Sequence, residues 1–130
     1  MTEALHKAYL KTDEQIVSKH LPKAGSTAVS AVIYDREEGE NKERMLCVAN
    51  IGDTNAVLKR GTEAKVLTVE HNADKNSKEV QRVQEMGAFV VNGKVAGVLS
   101  VTRAFGDLDL KPYVKICWII FSVADFSLVL

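Results

Sequence analysis

The sequence predicts a single α+β domain, in which a sheet of short antiparallel strands has a long helix before it and a short helix within it. Apolar residues recur at helical spacing near the N-terminus and again after residue 76, whereas most other segments are rich in residues that favour strands. Turns built on glycine separate those segments at short intervals, which is typical of antiparallel pairing. A chain of 130 residues suits one domain with one core.

Residues 3–19 are predicted to form an amphipathic helix. Its apolar side chains fall roughly on one face: Leu5, Ala8, Tyr9, Ile16 and Val17. Thr12 followed by Gln15 also fits a capping box, so two helices joined near Thr12 are an alternative to one uninterrupted helix. Pro22 and Gly25 end the helical segment in either case.

Two strand-like segments with a charged segment between them come next. Residues 26–34 carry few charges on either face, which predicts a central strand covered on both sides. Residues 35–44 contain eight charges and a glycine, and are predicted to form a solvated loop. Residues 45–51 are predicted to form a second apolar strand. Cys47 lies within that strand, where a buried free thiol is the usual case and indicates a reducing compartment.

The stretch Ala49–Leu58 carries the clearest chemical signal. A turn at Gly52 and Asp53 interrupts its apolar residues, which predicts a tight hairpin. Asp53 would then stand at the end of a strand, where its carboxylate could face solvent, a partner or a cation. Aspartate after glycine is also a common turn residue because it tolerates unusual backbone angles. The local pattern leaves both interpretations open.

The second half of the chain continues the antiparallel pattern. Residues 54–59 and 64–69 are predicted to form a hairpin. Asn76 begins a short helix that Gly87 closes. The dipeptide Asn92-Gly93 gives the strongest hairpin signal in the chain, since both positions favour positive φ. A further apolar segment ends at Gly106 and Asp107.

The tail, residues 116–130, differs from the rest of the chain because it is almost wholly apolar. Its uninterrupted run is too short for a transmembrane helix, which needs about twenty residues. A buried strand is one interpretation. The alternatives are a segment that is not the natural continuation of the domain and an apolar surface that contacts a membrane or a partner.

The overall composition excludes several function classes. Seventeen basic and seventeen acidic residues cancel, so no net charge favours nucleic acid or an anionic membrane. The N-terminus has no signal peptide, which predicts a cytoplasmic or nuclear protein. Cys47 and Cys117 form no metal-type spacing. Asp107 and Asp109 could give two oxygens to a cation, but they supply too few ligands for calcium and fit a turn equally well.

Five stretches, taken in order, resemble the metal-dependent type 2C protein serine/threonine phosphatases. They are the Gly-Ser-Thr strand entry of Gly25–Ala28, the Gly-Asp hairpin of Ala49–Leu58, the Leu-Thr-x-Glu-His segment of Leu67–His71, the helix with Glu79, Arg82 and Gly87, and the long stretch Gly97–Asp107, close to Gly-x-Leu-x-Val-Ser-Arg-Ala-Phe-Gly-Asp. The resemblance covers residues 1 to about 115. It implies an antiparallel β-sandwich flanked by helices, of which this chain would be an internal, incomplete part.

The departures from the family pattern are of two kinds. The mild ones are single replacements: Asn55 for arginine, Glu70 for aspartate, Ala88 for the second glycine and Thr102 for serine. The larger one is the absence of the Asp-Gly-His-Gly-Gly, Ser-Asp-Gly and Asp-Asn segments. The resemblance implies that the first would precede Met1 and the others would follow the point where Ile116 begins. Those segments hold the two Mg²⁺ or Mn²⁺ ions and bind the phosphate.

The resemblance therefore implies hydrolysis of phosphoserine and phosphothreonine in phosphoprotein substrates, by a water activated between two metal ions. Within this chain it makes Asp53 a ligand of an additional, third metal site, and it gives structural roles near the site to Gly52, Arg103, Gly106 and Asp107. The alternative is a catalytically inactive interaction module. An inner sheet face would lie uncovered unless residues 116–130 pack over it, so self-association is also expected.

Overall fold

The computed structural model of the protein describes residues 1–116 and the backbone of residues 119–124. In chain order, the elements within this part are α1 (Thr2–Val17), β1 (Gly25–Ser26), β2 (Ala28–Glu38), β3 (Asn41–Ile51), β4 (Val57–Arg60), β5 (Glu63–Val66), α2 (Ser77–Glu85), β6 (Val90–Val91), β7 (Lys94–Val95), β8 (Phe105–Gly106), a 3₁₀ turn (Leu108–Leu110) and β9 (Ile119–Ala124). The described strand pairs are antiparallel, which confirms the predicted α+β class.

The largest described sheet has the order β2-β3-β9. Strand β3 lies in the middle because both long neighbours pair with it, from Ala28 opposite Ile51 on one side and from Met45 opposite Ala124 on the other. The prediction that residues 26–34 form a central strand was wrong, since β2 is at the edge of this sheet. Its outward side chains are partly exposed: Val29 is 40% and Ile33 48% accessible to solvent.

The charged segment 35–44 was predicted as a loop, and this was also wrong. Strands β2 and β3 continue through it to a tight turn, where Glu38 pairs with Asn41. Opposite charges stand across from each other on the two strands. The ion pairs are Asp35 with Arg44, Arg36 with Glu43, and Glu37 with Lys42. Cross-strand pairing of this kind makes a charged sequence compatible with a hairpin.

The predicted hairpin around Gly52 and Asp53 does not form. A turn does follow β3 there, but residues 53–56 are not in a strand. β4 pairs with β5 instead of returning along β3. Asn50 helps to hold the irregular segment, because its side-chain amide donates to the carbonyl oxygen of Val69 at 2.9 Å. The β4–β5 hairpin itself confirms the second predicted turn, with each strand shorter than expected.

The two helices and the β6–β7 hairpin were predicted correctly from local sequence signals. Helix α1 is uninterrupted, because the Thr12 hydroxyl donates back to the Ala8 carbonyl within the helix instead of starting a new one. Asn76 caps α2 by accepting from the Glu79 N–H at 3.3 Å. Asn92 and Gly93 both have positive φ and join β6 to β7.

Buried apolar residues form three clusters, where the sequence predicted one core. The first lies around α2 and comprises Ala73, Val83, Ala88, Val95, Val101, Ala104 and Val114. The second joins α1 to the sheet through Tyr9, Ala49, Ile51 and Phe105. The third lies under the β4–β5 hairpin and comprises Leu46, Val48 and Leu67.

Part of the tail can be placed. β9 hydrogen-bonds along the edge of β3, so this part lies in the plane of the sheet and does not cover its face as a lid. The predicted strand is therefore present. Residues 117, 118 and 125–130, including Cys117, lie outside the described residues. Within the described residues, no helix is long and apolar enough to cross a membrane.

Candidate functional site

The turn that carries Asp53 is fixed by its surroundings. Gly52 has φ +80°, and a Cβ atom there would overlap the methyl group of Thr27. The Gly52 carbonyl oxygen accepts a hydrogen bond from the His71 N–H at 2.9 Å. Only glycine therefore fits this position without strain. The backbone that presents Asp53 is consequently held between the start of β2 and the segment around His71.

Asp53 is exposed at the end of β3, and its carboxylate has one described hydrogen-bond donor. The Asn72 side-chain amide donates to its Oδ2 atom at 3.2 Å. Asn72 is itself 8% exposed, and its Oδ1 atom accepts from the Asp74 N–H at 2.9 Å. Asn72 thus connects Asp53 to the loop that leads into α2. Sequence reasoning missed Asn72, since nothing in its local pattern distinguishes it from an ordinary loop residue.

The described residues do not assemble a complete metal site. No group of three or more histidine, cysteine, aspartate or glutamate side chains in that part of the chain could hold a metal ion. Asp53 supplies one carboxylate, whereas a divalent ion such as Mg²⁺ takes about six oxygen ligands. The donor set thus does not by itself fit a Mg²⁺ or Mn²⁺ centre.

A buried ionic network lies behind the turn. Glu79, 6% exposed, accepts hydrogen bonds from Arg103 at 2.6 and 2.9 Å and from the Thr102 hydroxyl at 2.8 Å. Arg82, one turn later in α2, donates to Glu79 at 2.9 Å and also to the Thr102 carbonyl at 2.8 Å. Four side chains from α2 and the segment before β8 are therefore tied together.

Burial and hydrogen bonding act in opposite directions on Glu79. Burial alone would raise the pKa of its carboxyl group, but hydrogen bonds from Arg103, Arg82 and Thr102 together outweigh it and lower the pKa to about 2. Glu79 is therefore ionised at any physiological pH. An ionised, saturated carboxylate is unavailable as a proton donor, so this network holds structure in place.

His71 is a buried titratable group that interacts electrostatically with that network. It is 1% exposed, and its ring nitrogens have no hydrogen-bond partner among the described residues. Burial, followed by the charge of Arg103, lowers its pKa to about 4, and the charge of Glu79 opposes this only in part. His71 is therefore neutral near pH 7.

Gly106 and Asp107 lie in a second close contact. The Asp107 N–H donates to the Ala24 carbonyl at 2.8 Å, and a Cβ atom at Gly25 would overlap the Asp107 carboxylate. A Cβ atom at Gly106, whose φ is +67°, would overlap the Ala24 carbonyl oxygen. The two glycines therefore allow β1 and β8 to approach each other.

Helix α1 is attached to the same region by Asp13. Its Oδ1 atom accepts from the Gly106 N–H at 2.8 Å and from the Lys111 ammonium at 2.9 Å. Lys111 also donates to the Ala104 carbonyl at 3.0 Å. No local pattern predicts this contact, because its partners are more than 90 residues apart in the sequence.

The residues singled out from the sequence thus fall in two places. Gly52 lies beside the backbone of Arg103. A Cβ atom added at Gly52 would be 3.4 Å from the Arg103 carbonyl oxygen. Arg103 in turn binds Glu79. Gly106 and Asp107 instead pack against the chain between α1 and β2.

Comparison with known proteins gives one consistent result. The family model described as Protein phosphatase 2C matches residues 1–124. The chain is 39% identical over 117 residues to "Probable protein phosphatase 2C 59" of Oryza sativa subsp. japonica, covering 85% of this chain and 33% of that protein. It is 34% identical over 120 residues to "Probable protein phosphatase 2C 17" of Arabidopsis thaliana, covering 86% and 40%. The chain therefore spans about a third of the curated relatives it matches.

Two solved structures superimpose on most of the chain. A structure titled "Structure of a C.elegans sex determining protein" superimposes with a TM-score of 0.73 and 29% identity, over 95% of this chain and 30% of the other. A phosphatase from Toxoplasma gondii superimposes with a TM-score of 0.72 over 95% of this chain and 49% of the other. At 22% identity, the second comparison shows the fold alone.

Proposed function

Because the chain belongs to the protein phosphatase 2C family, we propose that it acts in a protein serine/threonine phosphatase that hydrolyses phosphoserine and phosphothreonine in phosphoprotein substrates. The observation that carries this proposal is the family match over residues 1–124. The exposed carboxylate at the end of β3 supports it, since Asp53 stands on a turn whose glycine admits no other residue without strain.

In this proposal Mg²⁺ or Mn²⁺ is the cofactor, and Asp53 supplies a ligand to an additional metal site. Gly52 and Arg103 have structural roles next to it, through the turn and through the bond to Glu79. Gly106 and Asp107 have structural roles where α1 joins the sheet. The remaining metal ligands are not among the described residues, so the proposed chemistry requires carboxylates beyond those described here.

Phosphate release from a phosphothreonine peptide tests the proposal. The 130-residue chain is assayed with millimolar Mn²⁺, with and without a chelator. We expect turnover that the chelator abolishes if carboxylates beyond the described residues complete the metal site. Asp53→Asn, which removes the charge that would bind a cation, should lower turnover by about tenfold or more, since loss of even a group that only supports a metal ligand costs roughly 10- to 100-fold.

Asp35→Asn is the matched control, because it makes the same chemical change at another exposed carboxylate, in the β2–β3 hairpin. It should leave turnover unchanged. A folded chain without turnover would contradict the proposal for this polypeptide and support the alternative, a catalytically inactive interaction module. Equal losses in the two variants would contradict the role of Asp53.

We also propose a cytoplasmic or nuclear location. The support is the free thiol of Cys47, which is fully buried in β3. Free buried thiols are usual in reducing compartments.

A further inference from the structure

A groove of about 430 Å³ lies between two parts of the molecule. One wall is the tight turn after β7, and the other is formed by the chain after α1 together with the 3₁₀ turn. Its apolar lining comes from Pro22, Val98, Leu99 and Leu110. Val98 is 68% exposed, a large value for an aliphatic side chain at the edge of a groove.

The two walls are held in place by backbone hydrogen bonds. The Asp107 N–H donates to the Ala24 carbonyl at 2.8 Å, and the Asp109 N–H donates to the Pro22 carbonyl at 3.1 Å. On the opposite wall, the Val95 N–H donates to the Leu99 carbonyl at 2.7 Å. The groove is therefore a preformed feature of the fold, and a ligand would not need to order its walls.

Three charged residues line the groove: Lys23, Asp107 and Asp109. Their sum is one negative charge. Asp107 is the most unusual of the three, because its carboxylate is partly buried and accepts no hydrogen bond from any described residue. Burial raises the pKa of this carboxyl group, and the charge of Lys111 only partly opposes the effect. A partly buried carboxylate of this kind is stabilised by a cationic donor.

From this charge complementarity we propose that the groove binds a peptide segment of a partner protein, in which a lysine or arginine follows an apolar residue. The apolar side chain would rest on Val98, Leu99 and Leu110. The cationic side chain would pair with the Asp107 carboxylate, with Asp109 adding to the attraction. The volume of the groove lies within the usual range for ligand pockets, roughly 300–1,000 Å³, and suits one or two side chains.

This interaction does not depend on phosphatase activity. It involves no metal ion and no residue assigned above to a metal site, so a chain without turnover would still bind the peptide. Conversely, a chain with phosphatase activity that did not bind the peptide would contradict only the proposal of peptide binding.

Titration by ¹⁵N–¹H NMR tests the proposal with a blocked tetrapeptide, acetyl-Gly-Leu-Lys-Gly-amide. We expect shift changes at Val98, Leu99 and the 3₁₀ turn. The matching peptide with glutamine in place of lysine should bind about fivefold more weakly, the effect expected for one ion pair at a partly buried position. Asp107→Asn in the protein should cause a similar loss for the lysine peptide and none for the glutamine peptide.

Two further variants keep the test independent of any folding defect at Asp107. Val98→Ser, at an exposed position, should weaken both peptides. Lys23→Gln, which removes the positive charge of the groove, should strengthen binding of the lysine peptide by about twofold, a small change because exposed charges are screened by water and salt. Asp35→Asn is the control and should change nothing.

Several results would overturn the proposal. They are absence of binding by the lysine peptide, equal binding of the lysine and glutamine peptides, and shift changes confined to other surfaces. A groove occupied by a second copy of the chain would also overturn it, and would appear as shift changes at these residues on raising the protein concentration without peptide.

Discussion

At position 52, both the backbone conformation and the space available for a side chain require glycine. Its φ of +80° favours glycine, and its missing side chain leaves space for the Thr27 methyl group. Gly61, in the β4–β5 turn, has φ +60°, and a Cβ atom added there would have no neighbour within 4 Å. The two glycines thus separate the effect of backbone strain from that of steric overlap.

We expect Gly61→Ala to lower the free energy of unfolding by about 1 kcal/mol through strain alone. Gly52→Ala should cost roughly 3 kcal/mol, because overlap with Thr27 adds to the strain. Thr27→Ser, which removes the overlapping methyl group, should recover part of that loss in the Gly52→Ala background. Urea denaturation of the wild type and these variants measures the differences. Equal costs at the two glycines would show that the overlap has no effect.

The neutral, buried His71 predicts a dependence of stability on pH. Its folded pKa of about 4 lies below the value of 6.5 for the unfolded chain, so the unfolded state binds the proton more tightly. The stabilisation is therefore complete above pH 6.5 and is lost as the pH falls toward 4. The loss should amount to about 3 kcal/mol, from 1.36 kcal/mol per pKa unit.

Denaturation of wild type and His71→Phe at several pH values measures this effect. The variant replaces the ring by one that cannot titrate, so its stability should fall less between pH 6.5 and 4 whatever its stability at neutral pH. His20→Gln changes an exposed histidine and should follow the wild type. Parallel curves for wild type and His71→Phe would contradict the prediction.

Among the elements, α1 is attached to the later part of the described chain by a charged contact as well as by the packing of Tyr9. The Asp13 carboxylate accepts from Gly106 and Lys111, and its side chain is 14% exposed. Asp13→Ala would leave the Gly106 N–H without its side-chain acceptor and the Lys111 ammonium with only the Ala104 carbonyl oxygen, which should lower stability by about 2–3 kcal/mol. Amide hydrogen exchange in α1 should become faster as well.

Glu14→Ala is the control for that prediction, since Glu14 is the neighbouring residue on the exposed side of the same helix. It should change stability by no more than about 0.5 kcal/mol. If the two variants exchanged at the same rate, Asp13 would not be what attaches α1.

Elements defined by local signals could be predicted from the sequence, and those defined by distant partners could not. The Asn76 cap and the Asn92-Gly93 turn act within a few residues, and both were predicted. The hairpin over residues 35–44 was missed because a densely charged segment is typical of a loop. The charges fit a hairpin only because Arg36 on one strand pairs with Glu43 on the other. The turn after β3 was assigned to the wrong hairpin for the same reason, since pairing of β4 with β5 decides it.

The candidate site divides in the same way. Asp53 could be singled out because a glycine-aspartate pair follows an apolar run. Its hydrogen bond from Asn72 spans 19 residues, and the bonds from Arg103 to Glu79 span 24. Neither distance has a signature in the sequence, so the supporting residues appear only in the folded chain.

For the whole molecule, the exposed apolar residues of the strands predict self-association. Val29 and Ile33 are exposed on β2, and Val57 and Val66 are exposed on the β4–β5 hairpin. Exposed apolar patches and unpaired strand edges promote association. β9 protects one edge of β3 by pairing with it.

Removal of residues 117–130 should therefore increase self-association, because it leaves that edge of β3 unpaired. Light scattering during size-exclusion chromatography measures the mass of the species. Ile33→Lys, which places a charge on the exposed face of β2, should reduce association, whereas Phe89→Lys at another exposed site, outside the sheet, should not. A smaller mass after the deletion would show that the tail promotes association.

The contact between Asp13 and Lys111 also has a consequence for folding during synthesis, because one partner is made well before the other. The two residues are 98 positions apart, so a ribosome that adds about 5–20 residues per second makes the partner of Asp13 about 5–20 s after Asp13 itself. Until then the Asp13 carboxylate lacks both of its hydrogen-bond donors, the Gly106 N–H and the Lys111 ammonium. During synthesis, α1 therefore leaves the ribosome before the described strands, and its ionic contact with Lys111 forms only after the segment that follows β8 has been made.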